Sequence, residues 1–258
     1  MKHQEKNGIV WFEHPDIQVP GLSCRFFGRE GGVSTGPYES LNGRPAASED
    51  PTHIAENKKR VAAVMQADFL HTSTQVHGTK AIWVDDQTQS TGEADALMTQ
   101  KTGQVLAIKT ADCVPIVIMA RDGSGCAIIH AGWRGASQGI IAQTLSAFQK
   151  PVKAELVAVI GPCIRANNYQ VDAAVYAEFS AYENRDLFFK SEKNDDHFYL
   201  DLPGFCAYHL KALGVKEVAD IGLDTYEDEE VFFSCRRAFH HGQANQFGCQ
   251  FSCVKIED

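Results

Sequence analysis

Three residues of this chain have side chains that could work together chemically: His77 in "QVHG", Cys113 in "TADCVP" and His130 in "IIHAGWRG". Each stands near a backbone break: Gly78 follows His77, Pro115 lies two residues past Cys113, and Gly132 lies two past His130. Two chemistries use such a set. Three ligands drawn from His and Cys, with a fourth position left for water or substrate, describe a catalytic zinc site, where the metal lowers the pKa of bound water to about 7. A cysteine nucleophile served by a histidine base describes a thiol hydrolase. The separations, 36 and 17 residues, are too wide for a short zinc knuckle and do not choose between these chemistries. A third reading needs no chemistry, with Cys113 a small buried hydrophobe and the histidines satisfied core or rim residues.

Bringing these residues together requires particular elements. "VPIVIMARDGSGCAIIHAG" reads as an antiparallel hairpin turning at Asp122-Gly123-Ser124-Gly125, which returns His130 to the sheet rim that Cys113 enters. Pro115 restricts the residue before it to extended backbone at that entry. Further strand-like runs are "GIVWF", "AIWV", "QVLAIKTA", "ELVAVIG" and "FGCQFSCVKI", short and bounded by Gly, Asp or Pro. Helical patterns fall at 50–67, opening with Asp50 and Pro51, and at 139–149, 172–182 and 202–214, the last closing on Gly214. Strands do not alternate strictly with helices, so a mixed α+β layered fold is expected. With no repeat, low-complexity tract or linker, residues 1–258 read as a single catalytic domain.

Composition bounds the partners. The 258 residues are 44% hydrophobic, enough for a sizeable core, and 24 Lys+Arg against 33 Asp+Glu give a net charge of −9. That balance opposes nucleic-acid binding, which needs clustered cations to neutralise phosphates. The first residues have no apolar core of signal-peptide length, and no run approaches the roughly 18 residues of a membrane span. The expectation is a soluble cytoplasmic protein, not bound to membrane, with its eight cysteines reduced. Neither a G-x-x-x-x-G-K-[ST] loop nor a G-x-G-x-x-G turn occurs, so triphosphates and dinucleotides are not implied.

"FFGREGGVSTGPYESLN", "QVHGTKAIWV", "EADALMT", "IKTADCVPIVIMA", "IIHAGWRGASQGI", "AVIGPCIRANNYQV" and "DTYEDEEVFFSCRRAFHHGQ" resemble, in order, the motifs of the YfiH-type family, formerly labelled multicopper polyphenol oxidase or laccase-domain proteins. The resemblance spans about residues 22 to 242, and its most specific elements are T-A-D-C-x-P and H-A-G-W-R-G. It implies a four-layer α/β/β/α sandwich and a catalytic zinc held by His77, Cys113 and His130. It also implies phosphorolysis of adenosine, inosine and methylthioadenosine, together with adenosine deamination. The chain departs from the family in reading Asp224-Thr225-Tyr226 where C-T-Y is usual, "HHGQ" in place of T-G-R, and "RFFGREGG" without the two usual threonines. These changes spare the three ligands and bear on the C-terminal wall of the pocket.

The older laccase label makes copper the less favoured metal. A multicopper centre draws many histidines, commonly from H-x-H pairs, and none of the ten histidines here forms one. His240 and His241 are adjacent in a polar segment expected to face solvent. The cytidine-deaminase signature is also missing, because Gly78 and Thr79 follow His77 and "GPCIRAN" lacks a second cysteine. Phosphorolysis needs a cationic cradle, for which Arg29 in "GREGG" and Arg134 in "GWRG" are candidates, flanked by glycines that free backbone amides. Arg236 and Arg237, read as a strand-end pair, are further candidates. Asp112 is expected to orient a ligand histidine or to shape a turn. Trp133 stands beside a glycine turn, either stacking on a purine or simply packing. Cys249 and Cys253 are expected to be buried on one strand face, and the acidic "YEDEE" to be solvated.

Overall fold

"VPIVIMA" and "CAIIHA" are apolar almost without interruption because the strands they form are covered on both faces. The computed structural model describes residues 2–84, 90–191 and 196–257. Among these, an antiparallel five-stranded sheet runs in the order Lys2–Lys6, Ile9–Glu13, Leu22–Phe27, Gln250–Ile256, Val105–Thr110. A six-stranded sheet runs Glu217–Asp220, Leu156–Ile160, Val114–Ala120, Cys126–Ala131, Ala96–Thr99, Ala81–Trp83. The four central strands of the second sheet are antiparallel and each edge strand joins in parallel, which makes it mixed.

The two sheets pack face to face. Phe26, Leu106, Ile108 and Val254 of the first meet Leu97, Val117, Ile128 and Val159 of the second. The outer face of the six-stranded sheet is covered by the helices Ile140–Phe148 and Leu202–Ala212, through residues such as Ile116, Ile129, Leu145 and Phe205. The helix Pro51–Val64 covers the outer face of the other sheet, packing Val61 and Met65 over Ala107, Phe251 and Cys253. Helix, sheet, sheet and helices form the four layers expected of the α+β sandwich. Period-2 alternation sorts each strand between layers: Val114, Ile116 and Ile118 point to the helices, Val117 and Met119 to the other sheet. On that parity Cys113 and His130 both belong to the inter-sheet side.

Element starts follow the capping residues. Asp50 accepts from the Thr52 amide at 2.8 Å ahead of Pro51, and Asp201 accepts from the Gly204 amide at 3.0 Å. The helix expected over 172–182 is shorter, Ala173–Glu178, capped by Asp172. "SCRRAF" is not a strand end: Ser234 accepts from the Arg237 amide at 3.1 Å and opens the helix Cys235–His240. All eight cysteines are free thiols, and no helix among the described residues is long and apolar enough to cross a membrane.

Gly161, just after the strand Leu156–Ile160, lies against the buried Phe26 ring of the other sheet, which a Cβ at that position would overlap. Gly161→Ala is therefore expected to lower stability by about 1–3 kcal/mol through overpacking. Urea unfolding should show a lower midpoint at unchanged slope, and an unchanged midpoint would contradict the packing described.

Candidate metal centre

The hairpin pairs His130 with Pro115 and Ala131 with Val114, so His130 finishes the return strand beside the residue that follows Cys113. His77 arrives on a separate segment between the strands Thr72–Thr74 and Ala81–Trp83. One ligand atom from each of His77, Cys113 and His130 lies within 4.8 Å of the other two. Cys113 Sγ is 3.8 Å from His77 Nε2, and the imidazole rings meet edge to face with centroids 4.7 Å apart. His77 is exposed, Cys113 partly exposed and His130 buried, which gives the group a solvent side.

Neither His77 nor Cys113 is placed by regular secondary structure. His77 has φ +59, a left-handed conformation that costs a non-glycine residue energy and persists only where surroundings impose it. Asp95 imposes it. Its fully buried carboxylate accepts from the amides of Val76 at 3.2 Å, His77 at 3.0 Å and Gly78 at 2.8 Å, and from His130 Nδ1 at 2.8 Å. Burial works against ionisation of Asp95, but the His130 hydrogen bond and the amide donors outweigh it and hold the carboxyl below its ordinary range. With Nδ1 donating to Asp95, the Nε2 lone pair of His130 is left for a ligand.

Cys113 is positioned from the other side. Asp112, at φ +84, accepts from Thr225 Oγ1 at 2.8 Å and from the Arg236 amide at 2.6 Å, while its carbonyl accepts from the Ile164 amide. The expectation that Asp112 orients a ligand histidine is thus corrected: that acceptor is Asp95, and Asp112 clamps the turn before Cys113. The sequence reading passed over Asp95, although a carboxylate inside the apolar run "ADALM" was the available signal.

The surroundings suit a metal. A Cβ on Gly132 would sit 2.8 Å from His77 Cδ2 and 3.1 Å from Cys113 Sγ, so this glycine keeps open the space between two donors. Burial, then the His130 charge, pull His77 below its ordinary pKa and favour the neutral ligand form. Burial, then the neighbouring Asp112 carboxylate, push the Cys113 thiol well up. No cation among the described groups acting on it stabilises a free thiolate, whereas a bound metal would. Two imidazoles and a thiolate form a donor set typical of zinc.

The other candidates scatter. Arg134, exposed over the Trp133 ring at 4.2 Å, lies near enough for its charge to act on His77. Trp133 itself packs against the helix-side core. Arg29 is elsewhere: it donates to the carbonyls of Glu39 at 2.8 Å and Glu229 at 3.0 Å and lies over Phe233. There it lines a cavity of about 310 Å³ with Arg237 and His241 that none of the three donors lines. Arg237 is buried and donates to the carbonyls of Thr225, Tyr226 and Phe232. Arg236 donates to the Gln170 carbonyl and lies over the Tyr169 ring at 5.2 Å. Cys253 is buried as expected, while Cys249 is only partly so. His240 and His241 face solvent as expected, His240 hydrogen-bonded to Tyr226 Oη at 2.9 Å. Asp224, where the family has cysteine, is buried and accepts from Asn168 Nδ2 at 2.7 Å.

A family model described as multi-copper polyphenol oxidoreductase laccase matches residues 23–257. A Rickettsia conorii protein named purine nucleoside phosphorylase is 34% identical over 75% of this chain and 81% of its own length. Escherichia coli purine nucleoside phosphorylase YfiH is 30% identical over 89% and 94%. A Neisseria meningitidis crystal structure superposes with TM-score 0.87 at 26% identity, covering 98% of this chain and all of that one. Geobacillus stearothermophilus YlmD superposes at 0.84 with 25% identity, covering 99% and 98%.

Asp95→Asn removes the charge that holds three amides and one imidazole together. It is expected to weaken metal binding at this group about 10–100-fold, measured with zinc as the probe by competition with a chromophoric chelator. Gly132→Ala should weaken it too, through steric exclusion, without altering the His130 hydrogen bond. Unchanged affinity in both variants would contradict the site as described.

Proposed function

Because the chain belongs to the multi-copper polyphenol oxidoreductase laccase family, the family of the YfiH-named purine nucleoside phosphorylases, we propose that it is a zinc-dependent phosphorylase of adenosine, inosine and methylthioadenosine. The observation that carries this reading is the convergence of His77, Cys113 and His130 around a space that Gly132 leaves open. A zinc ion held there supplies Lewis-acid character toward an oxygen of the reacting partners. The chain's own residues do the rest. Asp95 fixes the His130 tautomer and the His77 backbone, so neither ligand needs reorganising when substrate arrives. Arg134 contributes a guanidinium on the exposed side, suited to fork onto phosphate oxygens. Arg29 enters the phosphate role only if ligand spans from the metal centre to its separate cavity, so Arg134 is the stronger assignment.

The older copper label fits less well, because the described residues hold one three-donor group rather than the several that a multicopper centre needs. A metal-free Cys-His hydrolase is disfavoured by burial and negative charge around Cys113, which keep an unliganded thiol protonated. A non-catalytic metal-binding protein differs from the proposal only in lacking turnover. Adenosine deamination is assigned to the same centre and is separable by product.

Purified protein is expected to carry about one zinc per chain and to release adenine from adenosine only when phosphate is present, with ammonia release reporting deamination. Cys113→Ser should lose zinc and turnover together. Chelation should inactivate the native enzyme and open Cys113 to alkylation. Full activity in a zinc-free preparation would overturn the reading.

A further inference from the structure

On the outer face of the five-stranded sheet, the ammonium groups of two half-buried lysines reach adjacent residues of one strand. Lys58, on the helix Pro51–Val64, places Nζ 3.5 Å from Thr72 Oγ1. Lys109, on the strand Val105–Thr110, donates from Nζ to the Ser73 carbonyl at 3.2 Å. Neither has a carboxylate within ion-pair distance among the described residues, although the chain carries 33 acidic residues against 24 Lys and Arg. Other long basic side chains find one: Arg60 pairs with Glu56, Arg121 with Glu155 and Glu217, Arg165 with Asp220, and Lys255 with Glu257.

Two like charges drawn partly out of water are costly unless an anion joins them. Burial pulls Lys58 below its ordinary pKa, and burial followed by the Lys58 charge does the same to Lys109. Among the described residues, the one other titratable group acting on Lys109 is the Cys249 thiol. We infer that an oxyanion of the phosphate class binds between Lys58 and Lys109, at a site apart from the His77–Cys113–His130 group. A dianion matches the charge: it offsets both cations and carries several acceptor oxygens, where a monovalent carboxylate would leave one charge unbalanced. The source is either inorganic phosphate or a phosphomonoester. The site stands next to the ligand-bearing segments. Gln75 Nε2 donates to the Lys109 carbonyl at 2.7 Å and the Lys109 amide donates to Gln75 Oε1 at 2.9 Å, tying this strand to the chain that leads to His77.

The test uses the full chain, with thermal unfolding followed against inorganic phosphate and, separately, against adenosine 5′-monophosphate, at constant ionic strength held with sodium chloride. Wild type should show a saturable rise in Tm with at least one probe, and the probe that produces it identifies the source. In Lys58→Met and Lys109→Met the apparent affinity should fall at least tenfold. In anion-free buffer Lys109→Met should still unfold cooperatively from a folded state, because it removes a desolvated like charge and keeps an apolar stem of similar length, which offsets the lost hydrogen bond to the Ser73 carbonyl. That result separates loss of the ligand from loss of the fold. Arg134→Ala should retain the response. The inference is overturned if neither probe stabilises wild type, if both lysine variants respond as wild type does, or if the response disappears in Arg134→Ala and survives in the lysine variants. Zinc content and nucleoside turnover, read in parallel, bear on the functional reading and leave this anion site standing or falling by itself.

Discussion

One buried carboxylate organises the chemistry-bearing end of this molecule. Asp95 has no solvent to satisfy it, so its two oxygens must find protein donors, and they find three consecutive amides and one imidazole. Those amides belong to the segment that carries His77, and the imidazole is His130. Two candidate ligands that are 53 residues apart in sequence are thereby referred to a single charge. The arrangement also accounts for the left-handed backbone at His77, since three amides can turn toward one carboxylate only if the chain curls tightly around it.

The third candidate ligand, Cys113, depends on the far end of the chain. Asp112 turns the backbone before Cys113 and is held by Thr225 and by the Arg236 amide, both more than 100 residues onward. The segment in which the family's usual residues are most altered here therefore supports the site from behind rather than supplying a donor. Asp224 takes part in a local network with Asn168 and the Tyr226 amide. Arg237 is spent on three carbonyls, so the second member of the arginine pair holds the C-terminal segment together.

The centre lies where the packed strands end. Strands apolar on both faces pack sheet against sheet, and where they end the apolar filling gives way to Cys113, His130 and Asp95. His77 closes the group from the solvent side. Burial is then graded across one small cluster, from the enclosed His130 to the exposed His77. On the reading proposed above, the buried side of that gradient would hold a cation and the exposed side would admit a substrate.

Much of this was legible in the residues themselves. The hairpin with its Asp-Gly-Ser-Gly turn, the continuous apolar strands and the Asp-Pro helix start are local signals, because turn chemistry, period and capping act over a few residues. Parity within the hairpin also sends Cys113 and His130 to one rim, and the motifs around them pointed to His77 as the third member. What tertiary structure alone decided was which polar residue serves which. Asp95 rather than Asp112 holds the histidines, Arg134 rather than Arg29 stands beside them, "SCRRAF" is a helix, and Lys58 and Lys109 reach adjacent residues of one strand. Each of these is a contact between segments far apart in the chain, set by how two sheets and a helix stack, and no periodicity within a window of residues encodes the distance between such segments.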